Sequence, residues 1–277
     1  MAVGGGVVGL VVVALLVLLQ GGGLGDVVNA IGGGGDSANQ VQPEQLDDLG
    51  ECTVEQANTQ RDCRLSATAY ALDAYWTTEL AAYDVELPEP GVTSFEGSVD
   101  TGCGAATSAV GPFYCPPDQR IYLDLGFYDE LQSQFGATDG PLAEVYVTAH
   151  EYGHHVQNIT GYMQQADRGG TGAEGGSVRL ELQADCFAGM FIGNAATTKR
   201  PGTDTTFMAP VTEQQLQNAL DAAAGVGDDR IQQQATGSIN PDTWTHGSSA
   251  QRQHWFTVGY EKRDIQACDT FTATDLG

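Results

Sequence analysis

Apolar side chains recur at helical spacing along residues 64–83, where Leu65, Ala69, Leu72, Trp76 and Leu80 share one face. This rhythm predicts a long amphipathic helix that ends before Pro88 and Pro90 and turns its aromatics to the core. A stronger helix is predicted over residues 142–159, entered after Gly140 and Pro141 and stopped by Gly161. A polar, glycine-rich loop over 161–176 leads to a third helix over 177–196, and further helices are expected near 212–223 and 248–264. Leu131 and Phe135 suggest a short one. Ile121, Tyr122, Leu123, Asp124 and Leu125 read as a strand with an edge that an extended peptide could join. Gly, Pro and Thr clusters make residues 88–117 an irregular region. The fold class is therefore α+β, mainly α with a small β-sheet, and no internal repeat is seen.

A different pattern precedes these elements. Residues 1–25 carry no charged side chain, and residues 7–19 form an apolar run that must leave water. With the residues before it, the run is long enough for one bilayer crossing, which needs roughly 17–25 residues. Its core also has the size of a signal-peptide h-region, but no A-x-A cleavage pattern follows, so an uncleaved anchor is the expectation. Residues 26–50 are rich in Gly, Asp, Asn and Gln, a tether composition that cannot bury enough surface to fold alone. The expected organisation is a transmembrane anchor or signal segment over 1–25, a Gly-rich acidic linker over 26–50 and one domain over 51–277.

Composition narrows the partners. The 277 residues carry 36 acidic and 11 basic side chains, a formal net charge of -25, which disfavours a phosphate backbone and excludes nucleic acid. The charge reads first as a solvated surface and, more sharply, as an attraction to basic substrates. Six cysteines fall as Cys52 with Cys63, Cys103 with Cys115 and Cys186 with Cys268, none in a CxxC pattern. Three disulfides between these sequential pairs in an oxidising compartment are expected, buried free thiols being the alternative. No Lys or Arg precedes the apolar run and the first one after it is Arg61. Orientation therefore rests on the cysteines and the acidic body, which argue for a single-pass cell-membrane protein with its body outside the cytoplasm, or a secreted one.

Chemistry concentrates on the predicted helix over 142–159. His150-Glu151-Tyr152-Gly153-His154 fits HExxH, in which two imidazoles four residues apart stack on one helix face and can reach one Zn²⁺. Glu151 lies about 100° round the helix from His150, placed to take a proton from water without being a ligand. Such a short pattern recurs by chance, so its context decides. A hydrolytic zinc takes three protein ligands and keeps a fourth position open. The metzincin extension would need Gly at position 157 and His at 160, whereas this chain has Gln157 and Thr160. A glutamate route fits instead. In Glu181-Leu182-Gln183-Ala184-Asp185 the two acids share a face, so Glu181 can bind zinc while Asp185 orients a ligand imidazole. The bland alternative is a solvated helix edge.

Several segments resemble the neutral zinc metallopeptidases, the YpfJ-like proteins, of gluzincin type with HExxH and ExxAD. They are Asp62-Cys63-Arg64, Thr101-Gly102-Cys103-Gly104, Gly111-Pro112-Phe113-Tyr114-Cys115-Pro116, residues 121–131, 150–157 and 181–189, and Thr245-His246-Gly247-Ser248 continuing to Trp255-Phe256. The resemblance spans nearly all of residues 51–277 and implies a zincin-like domain behind an apolar N-terminal segment and a Gly-rich tether. This chain departs from it in lacking a basic stretch before the apolar run.

The expected function is a zinc-dependent endopeptidase with one Zn²⁺ held by His150, His154 and Glu181, and Glu151 as base and then acid. His246 is the leading candidate to stabilise the oxyanion, a loop-ordering role being its alternative. Arg252 is expected to pair with Asp185, with a substrate carboxylate, or in an ordinary surface ion pair. His155 and His254 are expected to be structural. Peptide or protein substrates and the membrane are the expected partners. A membrane-tethered zinc-containing scaffold without catalysis and a cell-wall amidase are the competing readings; retention of Glu151 speaks against the first, and only substrate profiling separates the second.

Overall fold

The computed structural model describes residues 44–45, 52–133, 140–166, 170–200 and 202–277. Helix α1 (Val54–Thr59) starts on a capping box between Thr53 and Gln56 and leads into α2 (Arg61–Ala81). Leu65, Leu72, Trp76 and Leu80 of α2 are buried together, as their spacing predicts. In chain order the strands are β1 (Glu44–Gln45), β2 (Gly91–Phe95), β3 (Ser98–Thr101), β4 (Gly104–Thr107), β5 (Phe113–Cys115) and β6 (Arg120–Asp124). Helices α3 (Phe127–Ser133), α4 (Pro141–Thr160), α5 (Tyr162–Gln165), α6 (Gly176–Asn194), α7 (Glu213–Gly225), α8 (Asp228–Thr236) and α9 (Ser249–Lys262) follow. The mainly helical α+β class holds. Leu131 lies in α3, and Phe135 lies outside the described residues.

The sheet order is β1-β2-β6-β5, with β2 parallel to β6 and the other pairs antiparallel; β3 and β4 form a separate hairpin. Two expectations change here. Residues 88–117 are not irregular: β2, β3, β4 and β5 lie within them. The partner of β2 is distant, Gly91 facing Arg120 across the ladder, and β3, β4 and β5 are only three or four residues long, so local composition carried little of the signal. Residues 121–125 also do not offer a free edge, because β6 is central and paired on both sides. Among the described residues the edge nearest α4 belongs to β5. There the buried Tyr114 hydroxyl meets His155 Nδ1 at 3.0 Å and accepts from Asn158 Nδ2 at 2.9 Å.

Helix α4 is the axis of the molecule. It is buried for most of its length and packs against α2, α6 and α7, while α9 lies across α6 and α7. The α6–α9 crossing is close because Gly189 and Gly259 face it; a Cβ on Gly259 would sit 1.9 Å from the Cys186 carbonyl oxygen. Glu144, buried on α4, accepts from both Arg61 and Arg64 and ties α2 to it. The disulfides are Cys52–Cys63, Cys103–Cys115 and Cys186–Cys268, the expected pairs. Among the described residues no helix is long and apolar enough to cross a membrane, and residues 7–19 lie outside them.

Candidate metal centre

Pro141 at the start of α4 and Gly161 at its end, in the left-handed region at φ 86°, frame a helix that presents His150 and His154 one turn apart. Their ring centroids are 4.8 Å apart. Helix α6 crosses directly over them. Gly153, between the two histidines, makes that possible: a Cβ there would meet the Ala184 backbone at 3.2 Å. The close crossing brings Glu181 to both imidazoles, its Oε2 3.2 Å from His150 Nε2 and its Oε1 3.4 Å from His154 Nε2. One donor atom from each of the three side chains lies within 4.8 Å of the others, which forms a His-His-Glu group that could hold a metal ion.

The remaining ring nitrogens are occupied. His150 Nδ1 lies 2.9 Å from Asp185 Oδ1, and His154 Nδ1 2.8 Å from Gln157 Oε1. Both partners are acceptors, so each Nδ1 carries a proton and each Nε2 is the nitrogen that faces Glu181, where a bound cation would take the place of a second proton. That donor set suits zinc, which takes imidazole nitrogen and carboxylate oxygen. The electrostatics agree. Burial opposes a charge on His150, but Asp185 and Glu181 overcome it and raise its pKa to about 10 without a cation present. Burial likewise opposes ionisation of Glu181, yet the two histidines hold its carboxyl well below the usual range. The cluster attracts positive charge.

Asp185 is itself gripped. Arg252, from α9, donates to it through Nε at 2.8 Å and through Nη2 at 3.0 Å, and the Tyr146 hydroxyl donates to Oδ1 at 2.6 Å. Arg252 is therefore no surface ion pair: it is 3 % exposed and Asp185 is fully buried. Glu151, on the same helix, has its carboxyl pKa raised by burial, with the two imidazoles pulling the other way. That is the direction a group needs to work as both base and acid near neutrality.

His246 reaches the site from the loop between α8 and α9 and feels the Glu181 carboxylate. Its Nδ1 lies 3.3 Å from Asp228 Oδ1, while Asp228 Oδ2 accepts the backbone N–H groups of Thr245, His246 and Gly247 at 2.7, 2.7 and 3.0 Å. The carboxylate thus shapes the loop and aims the imidazole, whose side chain stays 34 % exposed. Burial lowers the His246 pKa, but Asp228 outweighs it and the net shift is upward. His155 sits elsewhere, between the Tyr114 hydroxyl and the Pro88 carbonyl, and His254 is exposed beside Trp255.

The sequence profile of the family described as "Putative neutral zinc metallopeptidase" matches residues 1–271. This chain belongs to that family. Uncharacterized protein Rv2575 of Mycobacterium tuberculosis and uncharacterized protein Mb2605 of Mycobacterium bovis are each 52 % identical over 231 residues, 83 % of this chain and 78 % of theirs. Uncharacterized protein YpfJ of Escherichia coli K12 is 41 % identical over 201 residues, 71 % of this chain and 66 % of its own. No solved structure matches significantly. Membership in a zinc metallopeptidase family implies zinc and hydrolysis, and the relatives' names specify no substrate.

Four side chains of this family member's site escaped the sequence reading. Tyr146 precedes His150 by four residues, so helical spacing could have found it. Gln157 served only to reject the metzincin extension. Gln183 lies inside the quoted Glu181 motif as a spacer. Asp228 left no signal at all, being far from His246 in sequence and joined to it only by the fold.

Proposed function

We propose that this chain is a zinc-dependent endopeptidase that acts on peptide or protein substrates outside the cytoplasm, held to the membrane by residues 1–25. One observation carries the reading. His150, His154 and Glu181 converge with both Nε2 atoms turned to the same point, because Asp185 and Gln157 occupy the other ring nitrogens. Zinc bound there would polarise the scissile carbonyl and acidify water. Glu151 takes the proton from the attacking water and delivers it to the leaving amine, its raised pKa suiting both transfers. His246, held by Asp228, donates a hydrogen bond to the oxyanion. The three disulfides support an oxidising compartment, hence a body outside the cytoplasm.

The test is cleavage of a mixed peptide library by the purified body, residues 37–277, comparing wild type with Glu151→Gln at equal zinc occupancy. Cleavage by wild type that is lost in the variant is the expected result. Zinc-loaded wild type that cuts nothing would favour a zinc-containing scaffold or a non-protein amidase. Equal cleavage by both proteins would remove Glu151 from the chemistry.

A further inference from the structure

Gln157 and Gln183 are among the most deeply buried polar side chains of the protein, 0 % and 1 % exposed, and they are linked. The Cys268 backbone carbonyl can only accept a hydrogen bond, so Gln183 turns its Nε2 toward it, at 3.1 Å. The Gln183 Oε1 is thereby fixed as an acceptor, and Gln157 Nε2 donates to it at 3.1 Å. The same Nε2 donates to the Leu180 carbonyl at 2.7 Å, which uses both of its protons. Gln157 then has only its Oε1 left for His154, and the imidazole must donate from Nδ1. Every link has one allowed direction.

We infer that Gln157 and Gln183 are positioning residues for the metal centre: a one-way amide relay from the Cys268 carbonyl that fixes the His154 tautomer and leaves Nε2 for the cation. The inference rests on the zinc reading above and extends it beyond the three ligands. His150 is set by a charged partner, Asp185, whereas His154 is set by neutral amides whose anchor lies beyond the last helix. The anchor is itself tied to the site, because Cys268 is disulfide-bonded to Cys186, the residue after Asp185. A flip of either amide would oppose two acceptors or two donors in a buried place, and so the relay resists reversal.

The experiment measures Zn²⁺ affinity by chelator competition on wild type, Gln157→Met and Gln183→Met, with ¹⁵N-histidine spectra of the zinc-loaded proteins. Met preserves volume and removes the hydrogen bonds. Loss of such an outer partner typically lowers metal affinity about 10- to 100-fold, the expectation for Gln157→Met, with a loss of roughly 2- to 10-fold for the more distant Gln183→Met. The His154 Nδ1 proton should be slow to exchange with solvent in wild type and faster in both variants. Should Gln157→Met fail to fold, Gln183→Met decides by the same two readings. Wild-type affinity and exchange in Gln183→Met, or a His154 bound through Nδ1, would overturn the relay. Failure of wild type to bind Zn²⁺ would instead overturn the zinc reading beneath it.

Discussion

Arg252 holds Asp185 from two directions, and Asp185 in turn holds His150 at 2.9 Å, so a cation from the last helix fixes a side chain of the first motif. Burial opposes the Asp185 charge, but Arg252 and His150 keep its pKa below the ordinary range. Arg252→Met should therefore strand a buried carboxylate and cost about 3–5 kcal/mol of stability. Adding Asp185→Asn should recover a good part of that loss. Urea unfolding of both single variants and the double variant measures the coupling.

Ligand and base should separate cleanly. Glu181→Ala removes a side chain that approaches both imidazoles, and zinc affinity should fall by more than about 100-fold, since even outer partners cost 10- to 100-fold. Glu151→Gln should bind zinc as wild type does while its turnover collapses. Metal content after dialysis against a weak chelator, read beside peptide cleavage, checks both.

His246→Ala should lower kcat by about 10²–10³ with little change in KM, as loss of an oxyanion donor does. Asp228 raises the His246 pKa, so the protonated donor persists to higher pH. Weakening that partner with Asp228→Asn should move the alkaline limb of the kcat profile toward lower pH. A limb that stays in place would assign His246 to loop ordering alone.

Gly153→Ala adds a methyl group 3.2 Å from the Ala184 backbone, which cannot swing aside. Alanine's better helix propensity, about 1 kcal/mol, works against an overpacking cost of roughly 1–3 kcal/mol. A net destabilisation is expected, with weaker zinc binding as Glu181 is pushed from the histidines. Thermal unfolding with and without zinc measures the two effects.

Asp73, on α2, accepts from the Tyr152 hydroxyl at 2.6 Å, and burial raises its pKa to about 6. Its folded-state value lies above the unfolded one, so the proton stabilises the fold. That contribution is complete below about pH 4 and is lost as pH rises through about 6. Asp73→Asn keeps the acceptor and removes the titration. Relative to it, wild type should lose about 1–2 kcal/mol between those pH values, allowing for partial solvent screening. Denaturant midpoints for both proteins at pH 4 and 7 test the sign.

The sequence alone determined whatever depends on short spacing. The helices α2, α4, α6 and α9 follow from apolar periodicity with Gly and Pro stops, and the pairing of Cys52 with Cys63 and Cys103 with Cys115 from nearness along the chain. His150 and His154 share a face because helix geometry demands it, and Glu181 and Asp185 do so for the same reason. Tertiary structure decided what depends on two elements meeting. Of the strands within residues 88–117, β2 meets β6 only across a long connection, and β3, β4 and β5 are three or four residues long, too short to show an alternation, while β6 became central instead of an edge. Asp228 and Gln183 are single polar residues whose partners are remote in sequence, and nothing marks them as parts of the site, whereas Arg252 was legible as a partner for Asp185 but only the fold chose that pairing over a surface one. The close crossings at Gly153 and Gly259 set α6 against α4 and α9, the helices that carry the two histidines and Arg252. A period can be read from one segment; a crossing needs both.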